Sequence, residues 1–467
     1  MVTAHTGKAI PQRRGIPFLG LASEIQRKGG LIPLLRTVHQ QCLADGQPAL
    51  VKFKVGSNTI IYVGEPELIG PIFEDIVLYD KPARLHAPMK RFMMDNGLIT
   101  AGYEQWKRQR PHARHSFAGR LMSSYSGIIS QIAREIVVER LSSAQSGEVI
   151  DMDRLMGEAT TQSLTRCLFN IEGGQKPIDD EQWDIIVREC DSVFNYSLAA
   201  FFTPGALQFV LRSMAKQYEQ AVQTVNPILQ GAIERYQVYI RQNQITEPWD
   251  IVSNLIIHGM NGDNPDERIT WQEVCGNILS FAIAGFDTNK SLLKTCLRAF
   301  AGYPAEKDRV AEEVAAVLGN RAPVFADLGQ MPLLDRFVDE ALRYEAPVSF
   351  VLREATRDTL VGDYQVEAGA LILLSQHLAH YDPRFWDKPE VFDSERFNRD
   401  EPRHPYAYFP FAEGERKCIG AAFGKMETKL ILIRLLQAGC LNYTVADPDA
   451  EGTYASTFQR PLSIRMN

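Results

Sequence analysis

Thr270-Trp271-Gln272-Glu273 opens the most strongly patterned stretch of the chain. A Thr followed three residues later by Glu forms a capping box, in which each side chain takes the other residue's backbone N–H. Apolar residues then recur at helical spacing through Leu292 and on to about Phe300, so one long helix is predicted there. Gly285 in its interior costs about 1 kcal/mol relative to alanine. A helix this long and apolar must be enclosed by others, and the flanking sequence agrees. From Glu65 to Leu318 the periodicity is mostly helical, broken at Asn96-Gly97, Gly173-Gly174, Pro204-Gly205 and between Gly262 and Pro265.

Other segments complete a mainly α (α+β) chain. Leu31 to Ala44 reads as a helix. Leu50 to Val55 alternates with period two, turns at Gly56-Ser57-Asn58 and resumes from Thr59 to Val63, giving a hairpin. Gly15 to Gly20 is a rigid segment built around Pro17. A helix ends near Tyr344, and short strand-like runs follow at Val348 to Leu352, at Val366 and at Leu371 to Leu374. Tyr381 to Pro410 is rich in Pro, Asp and aromatics with little periodicity, the sort of long irregular stretch that is kept for function. Ile419 to Ala438 is helical again, and terminal strands are expected from Leu441. With no repeat, low-complexity tract or flexible linker, residues 1–467 are expected to form a single domain.

Composition excludes several classes. Hydrophobic residues make up 45% and charged residues 23%, which rules out disorder, collagen and coiled coil. Fifty Lys+Arg against 57 Asp+Glu leave a net charge of −7, so no nucleic-acid partner is expected. The seven cysteines are scattered and lack CxxC spacing, which argues against a disulfide framework or structural zinc and fits a reducing, cytoplasmic setting. Met1 to Arg14 has no apolar region of signal-peptide type, and no apolar run reaches the ~18 residues of a transmembrane segment.

Cys418 stands apart from the other six. Phe411-Ala412-Glu413-Gly414-Glu415-Arg416-Lys417-Cys418-Ile419-Gly420 lies between the irregular stretch and a helix. Donors at the helix N-terminus favour a thiolate. Gly414 and Gly420 permit a tight turn and close approach of a flat macrocycle, Arg416 can neutralise a carboxylate, and Phe411 can exclude water beside the sulfur. Phe411, Gly414, Arg416, Cys418 and Gly420 match the pattern F-x-x-G-x-R-x-C-x-G, and on this segment the chain resembles the cytochrome P450 family. The resemblance implies a triangular, helix-rich fold with a small β portion, and Cys418 as the axial ligand of haem iron.

Further segments carry the same resemblance. Glu340-Ala341-Leu342-Arg343 is similar to the family's E-x-x-R helix, and Arg396 of Ser394-Glu395-Arg396-Phe397 to the arginine that joins that pair. All three are assigned to scaffold. Ala284-Gly285-Phe286-Asp287-Thr288 resembles the oxygen-activation motif A-G-x-D/E-T. There Gly285 lets small molecules approach the backbone, and the Thr288 hydroxyl competes for the Ala284 carbonyl. Asp287 and Thr288 are read as a proton relay. Trp106-Lys107-Arg108-Gln109-Arg110 is similar to the W-x-x-x-R helix, which together with Arg353 implies haem-propionate contacts at Trp106, Arg110 and Arg353. Pocket candidates by family position are Arg84 to Met94, Ser197 to Leu211, Phe281, Phe286, Ser349, Phe350, Val351, Thr457 and Phe458. His86, His377 and His380 are expected to be structural.

The resemblance therefore implies haem b (iron protoporphyrin IX) and a monooxygenase that inserts one oxygen atom of O2 into a mostly hydrophobic small molecule by C–H hydroxylation or epoxidation. Electrons would come from a separate ferredoxin or flavodoxin-type partner with an NAD(P)H-dependent reductase. The basic run Lys107, Arg108, Arg110, His112, Arg114 and His115 is its candidate docking patch. The alternatives are a peroxide-driven peroxygenase, opposed by the Asp287-Thr288 pair, and a haem-thiolate sensor or O2-independent isomerase.

Overall fold

The capping box closes as the sequence requires. Thr270 Oγ1 accepts from the N–H of Glu273 (3.2 Å), and Glu273 Oε2 accepts from the N–H of Thr270 (2.8 Å). The helix it starts runs from Trp271 to Gly302. The protein is represented by a computed structural model that describes residues 7–15, 20–56, 58–170, 177–203, 205–262, 264–399, 402–446 and 461–467.

Along the chain, α1 (Leu31–Ala44) precedes the hairpin β1 (Leu50–Val55) and β2 (Asn58–Val63), followed by α2 (Pro66–Glu74) and a two-residue strand, β3 (Tyr79–Asp80). Next come α3 (Ala83–Phe92), α4 (Tyr103–His115), β4 (Val149–Asp151), α5 (Met152–Leu168), α6 (Asp180–Phe202) and α7 (Arg212–Gln242). The capped helix is α8 (Trp271–Gly302), and α9 (Pro332–Tyr344) lies beyond it. Strands β5 (Val351–Ala355), β6 (Thr359–Val361), β7 (Tyr364–Val366) and β8 (Leu371–Leu374) follow, then α10 (Ala421–Ala438), β9 (Tyr443–Val445) and β10 (Ser463–Met466). The long helix, the helix from Leu31 to Ala44 and the hairpin fall where the sequence puts them. The missed strands, β3, β4 and β6, are two or three residues long, too short for a period-two signal.

The larger sheet has the order β1-β2-β8-β5-β3. Strand β2 runs parallel to β8, with Val63 opposite Leu374, while β5 is antiparallel to both β8 and β3. Asp80 pairs with Glu354, so continuing that register sets Lys81 beside Arg353. The second sheet joins β4, β10 and β9, and β6 and β7 form a separate hairpin. Helix α8 runs through the main core, with Leu279, Ala282, Leu293 and Leu297 fully enclosed. Among the described residues, no helix is long and apolar enough to cross a membrane.

The stretch from Tyr381 to Pro410 is mostly irregular, and its backbone carbonyls find partners in buried arginines. Arg343, 0% exposed, donates from Nη1 to the carbonyls of His380 (3.0 Å) and Pro389 (2.8 Å). Its Nε and Nη2 grip both oxygens of Glu340, also 0% exposed, at 2.7 and 2.9 Å. Glu340 Oε1 accepts in addition from the N–H of Asp393 (2.8 Å) and from Arg396 Nε (3.3 Å). Arg396 in turn donates to the carbonyls of Lys388 (2.8 Å) and Val391 (3.0 Å) and to that of Asp387. Helix α9 thus holds the irregular stretch by charge and hydrogen bond instead of by a ladder. Replacing Glu340 with Gln leaves two buried guanidinium groups uncompensated, and is expected to cost about 3–5 kcal/mol. The urea unfolding midpoint measures the loss.

Candidate active site

The segment preceding α10 is a tight loop closed by the N–H of Cys418 on the carbonyl of Phe411 (2.9 Å) and the N–H of Lys417 on that of Gly414 (3.0 Å). Gly414 has φ +75°, and a Cβ there would stand 2.3 Å from the carbonyl oxygen of Phe73, so only glycine fits. Gly420 is the N-cap of α10, with open space where a side chain would project. The N–H groups of Gly420 and Ala421 point at the Cys418 sulfur, and Phe411 packs half-buried against the main core. Cys418 is exposed, yet burial raises its thiol pKa. Burial outweighs the helix-end donors and the nearby Arg110 and Lys81. A bound metal cation would deprotonate the thiol.

Beside this loop gathers a cluster of cations. Arg416 donates to the carbonyl of Ala101 (2.9 Å) and to Asp80 Oδ1 (2.8 Å). Arg110 donates to the carbonyl of Lys417 (2.6 Å), and both guanidinium groups stack on the ring of Trp106. Arg353 lies over the ring of Phe73, and Lys81 donates to the carbonyl of Ile99. Burial first, and then Arg416 and Arg353, push the Lys81 ammonium down to about 7. Burial and Arg416 push Arg353 down to about 10. His86 is held at about 3 by burial and Lys81. Asp80 is the carboxylate that offsets these charges, and Arg353 Nε, Arg416 Nε and His86 Nδ1 are buried without a partner. Such a cluster suits a ligand carrying at least two negative charges. The structure therefore adds Lys81, Asp80 and His86 to Trp106, Arg110, Arg353 and Arg416. Lys81 follows a two-residue strand and left no periodic signal, and His86, expected to be structural, faces the cluster.

The middle of α8 is the second unusual surface. Ala284 is exposed within a helix that is otherwise mostly buried, and Gly285, Asp287 and Thr288 are half-buried. Thr288 Oγ1 donates to the Ala284 carbonyl at 2.6 Å, and Asp287 is ion-paired with Lys290. Gly285 has a packing role that the sequence does not reveal. A Cβ there would meet Leu164 Cδ2 of α5 at 2.8 Å, so the missing side chain sets the close approach of α5 to α8.

The apolar pocket candidates separate. Phe281 packs edge-on against Phe117 (5.3 Å) and Phe286 against Trp183 (6.1 Å), and both rings are buried in the main core. Ser349, Phe350 and Val351 are half-buried; the Ser349 carbonyl accepts from Ser375 Oγ (2.9 Å), and Val351 begins β5. Thr457 and Phe458 lie outside the described residues. The basic run on α4 divides: Arg108 pairs with Glu273, Arg110 turns to the Cys418 loop, and His112 bonds the carbonyl of Glu267. Lys107, Arg114 and His115 stay exposed.

Residues 10–450 match the family model for cytochrome P450. Among curated relatives, the probable cytochrome P450 6a13 of Drosophila melanogaster is 30% identical over 313 residues, 64% of this chain and 62% of that protein. The chain thus spans about three fifths of that relative's length. The putative cytochrome P450 132 of Mycobacterium tuberculosis is 24% identical over 82% of each chain. Cyclooctatin synthase of Streptomyces melanosporofaciens is 24% identical over 90% of this chain and 86% of that one. The crystal structure of a cytochrome P450DA mutant haem domain aligns with TM-score 0.78 over 98% of both chains at 20% identity, a likeness of fold. The packing account of Gly285 is testable: Gly285→Ala is expected to destabilise the fold by about 1–3 kcal/mol through overpacking. Adding Leu164→Val should restore most of that loss in urea unfolding, a coupling expected of two side chains in contact.

Proposed function

Because this chain belongs to the cytochrome P450 family, we propose that it holds haem b through the sulfur of Cys418 and oxygenates a mostly hydrophobic small molecule, with residues 1–467 working as one catalytic domain. The observation that most supports this reading is the placing of Cys418, in the loop before α10, beside a buried, under-neutralised cation cluster. A macrocycle with two carboxylates and a metal cation satisfies both. When bound, the haem supplies activation of O2 with two electrons and two protons, one oxygen atom going to substrate and the other to water.

The chain's own residues have separable tasks. Lys81, Arg110, Arg353 and Arg416 bind the two propionates, with Trp106 as the flat surface on which two of the guanidinium groups rest. The N–H groups of Gly420 and Ala421 bond the sulfur and temper its charge. On α8, Asp287 and Thr288, whose hydroxyl donates to the Ala284 carbonyl, form the proton relay. Electrons reach the site from a ferredoxin or flavodoxin-type protein and its NAD(P)H-dependent reductase, and exposed Lys107, Arg114 and His115 fit an acidic partner. The acid and alcohol standing together on α8 favour O2 over peroxide as the oxidant.

The reduced, carbon monoxide-treated protein is expected to show the red-shifted Soret band of thiolate ligation, and Cys418→Ala to lose it. Lys81→Met and Arg353→Leu should each weaken haem retention about tenfold, the size of one lost charge-assisted bond, in transfer of haem to excess apomyoglobin. Thr288→Ala should lower product formed per electron severalfold and raise peroxide release.

A further inference from the structure

Asn289 follows Thr288 on α8, and the two side chains meet different surroundings. Thr288 is half-buried, with its hydroxyl on the Ala284 carbonyl. Asn289 is 9% exposed, and its Nδ2 donates to Glu427 Oε2 of α10. Its Oδ1 meets α10 one turn earlier, where a Cβ on Gly424 would stand 2.7 Å away. Positions 424 and 427 share a face of α10, so the Asn289 amide is seated between a glycine and a carboxyl. Helix α5 braces the same level of α8: Thr160 Oγ1 donates to the Phe286 carbonyl (3.4 Å), and Gly285 admits Leu164.

Glu427 is 1% exposed and lies nine residues beyond Cys418, on the helix that begins after the sulfur loop. Its Oε1 is buried without a partner, a costly position for a carboxylate. Burial accordingly pushes this carboxyl up to about 8, with the Asn289 bond opposing. At neutral pH the pair is an acid and an amide, both uncharged, so its contribution is geometry and not charge. Hydrogen bonds are directional, and this one joins two long helices within the core. It therefore sets the offset between the helix that starts beyond Cys418 and the helix that carries Thr288.

We propose that Asn289 and Glu427 are a positioning pair: their bond, with the clearance left by Gly424, fixes where Thr288 stands relative to the Cys418 loop. The proposal rests on the reading of Cys418 as the ligand of the iron and of Thr288 as part of the relay. Sulfur and O2 take the two axial positions of one iron, so an offset between α10 and α8 becomes an offset between the metal and the Thr288 hydroxyl. Proton delivery tolerates little such error, since a misplacement of about 1 Å can cost on the order of a hundredfold. Neither Asn289 nor Glu427 exchanges a proton with the reacting group.

The test uses the haem-loaded enzyme and four variants: Glu427→Leu, Glu427→Gln, Gly424→Ala and Thr288→Ala. Two readouts are taken, product formed per electron and the infrared C–O stretch of the reduced, carbon monoxide-bound protein, which senses the surroundings of a diatomic ligand without turnover. Gly424→Ala pushes the Asn289 amide aside while leaving Glu427 in place, and it decides the matter even where Glu427→Leu does not fold. Glu427→Leu and Gly424→Ala should both shift or broaden the C–O band and lower product per electron severalfold. Glu427→Gln, whose amide oxygen accepts the same bond, should keep the native band and native coupling. A native band and native coupling in Gly424→Ala, while Thr288→Ala is uncoupled, overturn the positioning pair and leave the relay standing. Uncoupling in Glu427→Gln as large as in Glu427→Leu also overturns it, because the acid itself would then be needed. Native coupling in Thr288→Ala overturns the relay reading and the proposal with it.

Discussion

The grip of Arg343 on Glu340 is the constraint from which the rest of the structure is built outward. Both groups are fully enclosed, and the guanidinium continues to carbonyls at positions 380, 389 and 391. Helix α9 thereby supplies the hydrogen bonds that the stretch leading to the Cys418 loop lacks on its own. An irregular backbone this long would be disordered if its polar groups had only water. Buried charge is a costly means of ordering a chain, but it is directional, and it fixes the loop as a ladder would fix a strand.

A second electrostatic feature works in the opposite sense. The cations around Trp106 repel one another, as the lowered values of Lys81 and Arg353 report, and the thiol of Cys418 is raised by burial. Groups that disfavour each other in the chain alone become favourable partners for an anionic macrocycle with a metal centre. Whatever binds there adds to the stability of the fold in proportion to its affinity, so cofactor retention and folding are thermodynamically linked.

Helix α8 joins the two halves of this arrangement. Its capping glutamate, Glu273, is also the buried partner of Arg108 and Gln109 on α4, so one side chain starts α8 and anchors the helix that carries Trp106 and Arg110. Midway along, Gly285 admits Leu164 from one side while Ala284 and Thr288 border open surface on another. Small residues in a helix this long do two kinds of service, and clearance for a neighbouring helix is as strong a reason for glycine as clearance for a ligand.

What the sequence determined by itself was local. Helical spacing, a capping box and a ten-residue loop pattern are set by neighbouring residues, and they gave the long helix, the hairpin, the mainly α architecture and the segment around Cys418. The spacing of Glu340 and Arg343 likewise foretold a contact within one turn. Tertiary structure alone decided what depends on distant partners: that Lys81 and His86 join Arg353 and Arg416, that Phe281 and Phe286 pack in the core, and that Gly285 receives Leu164. Burial and opposing charge arise only when segments hundreds of residues apart are brought together, and no periodicity within a segment records them.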